Sequence, residues 1–364
     1  MVRRELRRLD RTSADGKTRR GLPDAEHVMS EGPVSEFLAA ATDREAVDPS
    51  DGKGGSSFER VTVRGQRYFV KRLSPATDWI MRVSGDTVHR PFLIWRAGLM
   101  DQMPACIDHT IVAMEVEGSG DTAVLSLLMH DVSEFLIPEG DAVVDPVTHA
   151  EFIDHLAQLC AAFWGFADTI GGLTTVSERL RLFSASNVAR ELAVADPPGT
   201  IVAADAGWRA LPDRSPALAG LAHAVHDDPT LLTDPLAEAG ITFLHGDWKM
   251  GNLGRHPDGR TILLDFFPGA GPACWDLCWY LALNRARIPE SKEATIIRFR
   301  SDLERHGVDT AGWFERQLDL CLAAMMVVFG WEKALGPEDE LHWWETAVSG
   351  ALGRQGLDVV EPGR

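Results

Sequence analysis

One short segment constrains the fold of this chain more than any other. It reads HGDWKMGN from His245 to Asn252, and a second acidic residue, Asp265, follows the apolar run 262–264. Gly246 and Gly251 allow the segment to turn tightly, and the apolar run predicts a short strand. Two adjacent loops of one core would therefore bring two carboxylates, an amide and an ammonium group to one metal–phosphate site.

The first half of the chain carries β patterns. Four segments predict strands, 58–63, 66–73, 110–116 and 122–128. The first two flank Arg64-Gly65 and predict a hairpin. A short helix is predicted over Val34 to Thr42, a turn-rich stretch covers 48–57, and residues 77–102 have helical spacing.

The second half is mostly helical. Helices are predicted over 146–166, from about 275, and over 293–306, 313–335 and 338–352, with short strands over 241–244 and 261–264. This order predicts an α+β fold of two lobes, with a small β-rich N-lobe over 34–135 and a larger helical C-lobe over 136–358. A flexible basic arm would precede them over 1–33. A site would form in the cleft between the lobes.

Composition excludes several classes of protein. The net charge is −18, which argues against nucleic acid as the main partner and is compatible with a cationic small substrate, although solubility explains it equally well. No apolar run is long enough to span a bilayer, so no membrane association is predicted. Five scattered cysteines fit a cytoplasmic location; Cys274 and Cys278 are interpreted as packing residues because no second pair completes a zinc site. The sequence leaves the oligomeric state open.

The residue types around the opening segment suit phosphoryl transfer. Asp247 is the candidate base for an acceptor hydroxyl, and Lys249 would neutralise a γ-phosphate. Asn252 and Asp265 offer the oxygen ligands that Mg²⁺ prefers. An isolated H-G-D or D-x-x-x-x-N is often a chance surface turn, so the prediction depends on the whole constellation.

These segments resemble the catalytic and metal-binding segments of the aminoglycoside phosphotransferase and choline kinase-like families, which share the protein-kinase-like fold. The resemblance implies that Asp247 is the catalytic aspartate and that Asn252 and Asp265 bind magnesium. The segment Gly271–Leu277 is similar to the family's G-D-P-x-x-D-L. Its Asp276 is implied to cap a helix and brace the catalytic loop. His245 is interpreted as a second brace.

The resemblance extends upstream. The strand 68–73 resembles the family strand whose lysine holds the α- and β-phosphates, which assigns Lys71 to the nucleotide. The backbone N–H groups of Gly54, Gly55 and Ser56 would face the phosphates. The segment Met129 to Val132 is implied to be the interlobe hinge against which adenine lies.

Three departures from the family pattern stand out. No glutamate occurs between Glu59 and Glu115, so the usual helix partner of the strand lysine is missing. Either Asp78 or Asp86 takes its place, or the lysine–carboxylate pair is absent. Lys249 stands where many antibiotic kinases carry histidine. The Asp and Pro of G-D-P are replaced by Pro272 and Ala273.

The sequence therefore predicts an ATP-dependent, Mg²⁺-dependent kinase of a small-molecule hydroxyl acceptor, with GTP left open. One hypothesis is an acidic and aromatic acceptor pocket, which would suit an aminoglycoside, amino sugar or other amine-bearing molecule. Its candidate residues are Glu304, Glu315, Asp319, Glu332, Glu338, Glu340, Glu345, Trp331, Trp343 and Trp344. Solvated acids and core tryptophans are the favoured interpretation of these residues. The missing glutamate also fits a pseudokinase that binds nucleotide as a regulatory module.

Overall fold

The computed structural model of the protein describes residues 33–47 and 54–356. The predicted basic arm, apart from Pro33, and residues 48–53 of the predicted turn lie outside the described residues.

Most strands of the first half belong to one antiparallel sheet. The strands are β1 (Ala41–Val47), β2 (Ser57–Val63), β3 (Gln66–Leu73), β4 (Ile107–Asp108), β5 (Ile111–Glu117) and β6 (Val124–His130). All except β4 pair in the order β1-β2-β3-β6-β5. The predicted hairpin is confirmed, because β2 and β3 pair across the turn at Arg64 and Gly65, both with positive φ.

Strand β1 corrects the prediction of a helix over Val34 to Thr42. Helix α1 (Val34–Ala39) is shorter, and the chain then turns into β1. The central residues of β1 are exposed and include Asp43, Arg44 and Glu45, so the sequence carries no alternating apolar signal. Charged residues are typical of a sheet edge, where they discourage pairing with another chain.

The stretch 77–102 was predicted to be helical with Pro91 starting its second half, and it forms two short helices, the second of which has Pro91 in its first turn. They are α2 (Trp79–Ser84) and α3 (Arg90–Arg96), separated by Gly85 and His89, which both have positive φ. Ion pairs tie these helices to the C-lobe: Arg82 to Glu191 at 2.6 Å and Arg90 to Glu178 at 2.9 Å.

The second half is helical, as predicted. Its helices are α4 (Pro146–Ala162), α5 (Val176–Leu180), α6 (Ala185–Leu192), α7 (Gly199–Arg214), α8 (Pro216–Asp227), α9 (Thr230–Leu236), α10 (Cys274–Asn284), α11 (Lys292–Arg305), α12 (Phe314–Leu335) and α13 (Glu338–Gln355). Its strands are β7 (Ile241–Leu244), β8 (Leu253–Arg255), β9 (Thr261–Leu263) and β10 (Gly269–Pro272). Strands β7 and β10 pair, and β4, β9 and β8 form a second small sheet.

Helix α12 is the centre of the C-lobe core. Nearly all of its residues are buried, and it packs against α7, α8, α10 and α13. Cys274 and Cys278 are fully buried on α10, which confirms their interpretation as packing residues. Within the described ranges, no helix is both long and apolar enough to cross a membrane.

Candidate active site

The segment 245–252 leaves β7 as a tight loop because Gly246 has a φ of +85°. A Cβ atom at Gly246 would lie 2.1 Å from the carbonyl oxygen of Phe267 and 2.3 Å from the Arg179 guanidinium. Only glycine fits this backbone at this distance. The loop ends in a 3₁₀ turn that contains Asn252.

The carboxylate of Asp247 is held at both oxygens. Oδ2 accepts a hydrogen bond from Asn252 Nδ2 at 2.8 Å and lies 2.9 Å from the Lys249 ammonium. Oδ1 accepts a hydrogen bond from the indole Nε1 of Trp279 at 2.8 Å. The loop thus brings Asp247, Lys249 and Asn252 together, as the sequence predicts.

Trp279 is a contact that the sequence reasoning missed. It lies on α10, three residues after Asp276, so helical spacing alone places both side chains on the same face. That spacing was the available signal, because Asp276 was already expected to face the catalytic loop.

Asp265 joins the site from the loop that follows β9. It follows β9 with a φ of +57°, a strained backbone for a residue with a side chain. Its Oδ1 lies 2.7 Å from the Nζ of Lys71 on β3, which brings the predicted phosphate lysine and the predicted metal ligand into contact. Burial opposes ionisation of Asp265, yet the ammonium groups of Lys71 and Lys249 outweigh it and lower its pKa. The Asp265 side chain is 44% exposed, so its carboxylate remains accessible from the cleft.

His245 connects the two carboxylate-bearing loops. Its Nδ1 accepts a hydrogen bond from the backbone N–H of Asp247 at 3.2 Å, and its Nε2 lies 2.8 Å from the carbonyl oxygen of Leu264. This pattern requires the neutral imidazole with the proton on Nε2. Burial lowers the pKa of His245 to about 4, so the ring stays neutral at physiological pH.

Asp276 holds the backbone of the same loop. Its carboxylate accepts hydrogen bonds from the N–H groups of His245 at 2.9 Å and Gly246 at 3.1 Å. Burial raises the pKa of Asp276 to about 6, and the positive charge of Arg179 opposes that rise. The predicted helix cap is wrong in detail, because Asp276 lies in the first turn of α10 while Ala273 occupies the cap position.

Arg179 is a second contact absent from the prediction. This buried guanidinium donates hydrogen bonds to the carbonyl oxygens of Gly246 and Phe267, and it stacks on the Phe267 ring at 4.6 Å. It thereby ties the loop of Asp247 to the loop that follows Asp265. Arg179 lies 67 residues before Gly246 in the chain, so no local sequence pattern signals this contact.

The segment 54–56 is attached to the N-terminus of α2. Ser56 Oγ donates to the carboxylate of Asp78 at 3.1 Å, and Trp79 N donates to the Gly54 carbonyl at 3.0 Å. Gly55 has a φ of +95°, and a Cβ atom there would lie 2.2 Å from the Thr77 carbonyl oxygen. Gly54 and Gly55 line the cleft beside Lys71, whereas the binding of phosphate by this segment stays a prediction.

Asp78 and Asp86 differ in their surroundings. Asp78 caps α2 through Ile80 N at 2.9 Å, and the charge of Lys71 partly offsets the rise in its pKa that burial causes. Asp86 instead accepts hydrogen bonds from the backbone N–H groups of Val88 and Arg90. Asp78 therefore lies near enough to Lys71 to feel its charge, although the ion pair of Lys71 is formed with Asp265.

The cleft between the lobes has a volume of about 1190 Å³. Its floor carries Asp247, Lys249 and Asp265, and one wall is aromatic, formed by Phe183, Trp279, Phe329 and Trp331. Leu127 of β6, two residues before the predicted hinge at Met129, also lines it. The adenine contact of the 129–132 segment stays a prediction.

Most of the predicted acidic pocket does not lie in the cleft. Of the acids and tryptophans named for it, only Glu332 and Trp331 are among the lining residues of the described cleft. The others have partners elsewhere in the C-lobe: Glu304 and Glu315 with Arg300, Asp319 with Arg354, Glu338 with Arg214, Glu340 with Lys292, Glu345 with Ser215, Trp343 with Glu293 and Trp344 with Glu340. The acidic-pocket hypothesis is therefore wrong for these residues, and the favoured interpretation, that they do not form an acceptor pocket, agrees with the lining of the cleft.

The residues present fit a magnesium ion that also contacts phosphate. Asp265 supplies an ionised carboxylate, and since the Asn252 amide nitrogen is used by Asp247, its oxygen is the atom left for a cation. Among the described residues no cluster of three or more His, Cys, Asp or Glu could hold a metal alone. Mg²⁺ commonly binds to proteins through one or two such oxygens and completes its shell with phosphate and water.

No family model matches the sequence, and no curated protein matches it. Solved structures match it in fold. An amicoumacin kinase in complex with AMP-PNP, Ca²⁺ and Ami is 13% identical with a TM-score of 0.50, and the match covers 87% of this chain and 92% of that chain. A microcompartment-associated aminopropanol kinase is 11% identical with a TM-score of 0.48, covering 90% and 99%. A choline kinase from Streptococcus pneumoniae is 11% identical with a TM-score of 0.44, covering 88% and 98%.

The match to the amicoumacin kinase shows that this chain shares the fold of that structure. The expected α+β architecture, with a β-rich N-terminal part and a larger helical C-terminal part, is thereby confirmed.

Proposed function

We propose that this protein is an ATP-dependent kinase that transfers the γ-phosphoryl group to a hydroxyl group of a small molecule. The observation that carries the proposal is the convergence of Lys71 on Asp265 at 2.7 Å and of Asn252 on Asp247 at 2.8 Å in one cleft. Phosphoryl transfer depends on positioning and on charge stabilisation, and these groups supply both. The fold is compatible with this chemistry.

Each residue has a defined task in this proposal. Lys71 neutralises the α- and β-phosphates, and Asp265 and Asn252 hold Mg²⁺, which offsets phosphate charge when bound. Lys249 lies 2.9 Å from Asp247, so its ammonium reaches both the base and a γ-phosphate above it. Asp247 accepts the hydrogen bond of the acceptor hydroxyl and aligns it for in-line attack.

Asp78 takes the place of the missing helix glutamate in this proposal. It lines the same cleft as Lys71 and also accepts a hydrogen bond from Ser56 Oγ at 3.1 Å. A single carboxylate would thus orient the lysine and fix the 54–56 segment above the phosphates.

The acceptor in this proposal bears an amine. The aromatic wall of Trp279, Phe329 and Trp331 offers ring faces to a cation, and Asp196 contributes a carboxylate to the same cleft. Glu332 pairs with Arg285 and therefore contributes little net charge. Aminoglycosides, amino sugars and other amino alcohols combine a hydroxyl with such a cation.

Nucleotide binding is the first test. Mg²⁺-ATP and Mg²⁺-GTP are added separately in a thermal-shift titration, and we expect ATP to raise the melting temperature. Lys71→Met should lose that shift, whereas Arg72→Met should keep it, because Arg72 points to the other face of the sheet and pairs with Glu59. Absence of any nucleotide-dependent shift in the wild-type protein would contradict the proposal.

A metabolite screen for ATP-dependent phosphorylation then tests the acceptor. The panel contains amino sugars, aminoglycosides and choline-like amines, together with neutral and anionic alcohols. Phosphorylation of neutral or anionic alcohols alone would remove the amine from the proposal. Nucleotide binding without turnover on any acceptor would favour the pseudokinase instead.

A further inference from the structure

Trp279 joins the candidate base to the wall of the cleft. Its side chain is 4% exposed, and its ring packs edge-to-face on Phe329 at 4.6 Å. Its indole N–H donates to Asp247 Oδ1 at 2.8 Å, while Asn252 and Lys249 contact the other oxygen. Both residues of the aromatic pair line the cleft in which the acceptor would bind.

An aspartate carboxylate needs such a contact to keep one orientation. The terminal torsion of aspartate is broad, so packing alone does not fix the plane of the two oxygens. Donors on both oxygens define that plane. Indole nitrogen is a donor only and cannot accept a proton, so Trp279 does not compete with Asp247 as a base.

One turn of α10 thus makes two separate contacts with the catalytic loop. Asp276 holds the backbone N–H groups of His245 and Gly246, and Trp279 holds the side chain of Asp247. The helix is buried almost throughout, which makes it a rigid support for both contacts.

We infer that Trp279 is a positioning residue for phosphoryl transfer, because its N–H fixes the orientation of the Asp247 carboxylate while its ring is held against Phe329 in the wall of the cleft. The inference rests on the proposed function, since it requires Asp247 to act on the acceptor. Removal of the N–H should reduce turnover while nucleotide affinity stays the same, because Trp279 contacts the base and Lys71 does not depend on it.

The hydrogen bond itself can be tested without turnover. The chain has 11 tryptophans, and ¹⁵N labelling of their indoles gives one N–H resonance for each. Trp279→Phe identifies its resonance by deletion. We expect that resonance to move upfield in Asp247→Ala, because a charge-assisted hydrogen bond is lost. An unchanged resonance would show that the contact is absent in solution.

The role in turnover is tested by a double-mutant cycle on Mg²⁺-ATP hydrolysis, with water as the acceptor. Trp279→Phe should lower kcat roughly 10- to 100-fold, the loss expected for a hydrogen bond to a charged group, with KM for ATP within about twofold of wild type. In the Asp247→Asn background the same substitution should change nothing further. Equal fractional losses in both backgrounds would refute the inference.

Trp275→Phe is the matched control. Trp275 lies on the same helix and is fully buried, and its indole nitrogen has no hydrogen-bond partner among the described residues. The Trp275→Phe variant should therefore lose packing contacts in the core but keep the kcat of wild type. If Trp279→Phe fails to fold, benzothienylalanine at the same position keeps the bicyclic shape and removes only the donor, and full turnover with it would overturn the inference.

The two possible failures are distinguishable. Wild-type hydrolysis by Asp247→Asn would remove the base assignment of the proposed function, while the indole resonance would still report the contact. Loss of hydrolysis in Asp247→Asn with full activity of the benzothienylalanine variant would remove only the role of Trp279.

Discussion

Neutral His245 should make the folded protein sensitive to acid. The pKa of this buried ring is about 4, against an ordinary value of 6.5, so the unfolded chain binds a proton that the folded chain rejects. Stability is therefore present above pH 6.5 and is lost as the pH falls toward 4. This single group should cost about 2 kcal/mol of unfolding free energy by pH 5 and about 3 kcal/mol by pH 4.

The physical cause lies in the contacts of the ring. In the neutral ring, Nδ1 accepts a hydrogen bond from the backbone N–H of Asp247 at 3.2 Å. A proton added to Nδ1 would point at that N–H and remove the hydrogen bond. The link between the catalytic loop and Leu264, made through Nε2 at 2.8 Å, would then have to rearrange.

The assay compares wild type with His245→Gln by urea unfolding at pH 7, 6 and 5. Intrinsic tryptophan fluorescence, to which the buried Trp248 and Trp275 contribute, reports unfolding. His245→Gln should be less stable at pH 7 but should lose about 2 kcal/mol less than wild type between pH 7 and 5. His223→Asn is the control, because the His223 side chain is 83% exposed, and its curve should parallel wild type. Parallel curves for wild type and His245→Gln would refute the reasoning.

Three further substitutions test separate contacts. Asp78→Asn should raise KM for ATP roughly tenfold, because it removes a negative charge near Lys71. The control Asp86→Asn, measured in the same ATP titration, should leave KM within about twofold. Equal effects of the two substitutions would contradict the choice of Asp78. Gly246→Ala should lower the unfolding free energy by several kcal/mol because its Cβ would meet the Phe267 carbonyl at 2.1 Å. Gly259→Ala has a similar positive φ in open space and should cost only about 1–2 kcal/mol in the same denaturant titration. Asp276→Asn should cost about 1–3 kcal/mol because the neutral amide weakens the hydrogen bonds to the N–H groups of His245 and Gly246. An unchanged unfolding free energy by chemical denaturation would argue against these contacts.

Local motifs made much of the arrangement predictable. Asp247, Lys249 and Asn252 belong to one short loop, and Asp265 follows a recognisable apolar strand, so spacing alone indicated that they would meet. Helices such as α4 and α12 were predictable because their apolar periodicity is long and continuous.

Contacts between distant segments were not predictable in the same way. Arg179 reaches Gly246 across 67 residues, and Arg82 reaches Glu191 across 109, without any local sequence signal. Strand β1 was missed because its stability comes from pairing with β2 at an exposed edge rather than from burial of its own side chains. The sequence did not show which acidic residues of α12 and α13 face the cleft, because their ion-pair partners come from other helices.

Transfer of the γ-phosphoryl group tests the central claim most directly. ATP labelled in the γ-phosphate is incubated with Mg²⁺ and the acceptor found in the metabolite screen, with wild type, Asp247→Asn and the control Asp205→Asn on the exposed face of α7, where Asp205 pairs with Arg209. We expect wild type to place the label on the acceptor hydroxyl. Asp247→Asn should lose about 10²- to 10⁴-fold in kcat with little change in KM for ATP, whereas Asp205→Asn should keep the turnover of wild type. Full transfer by Asp247→Asn would contradict the account.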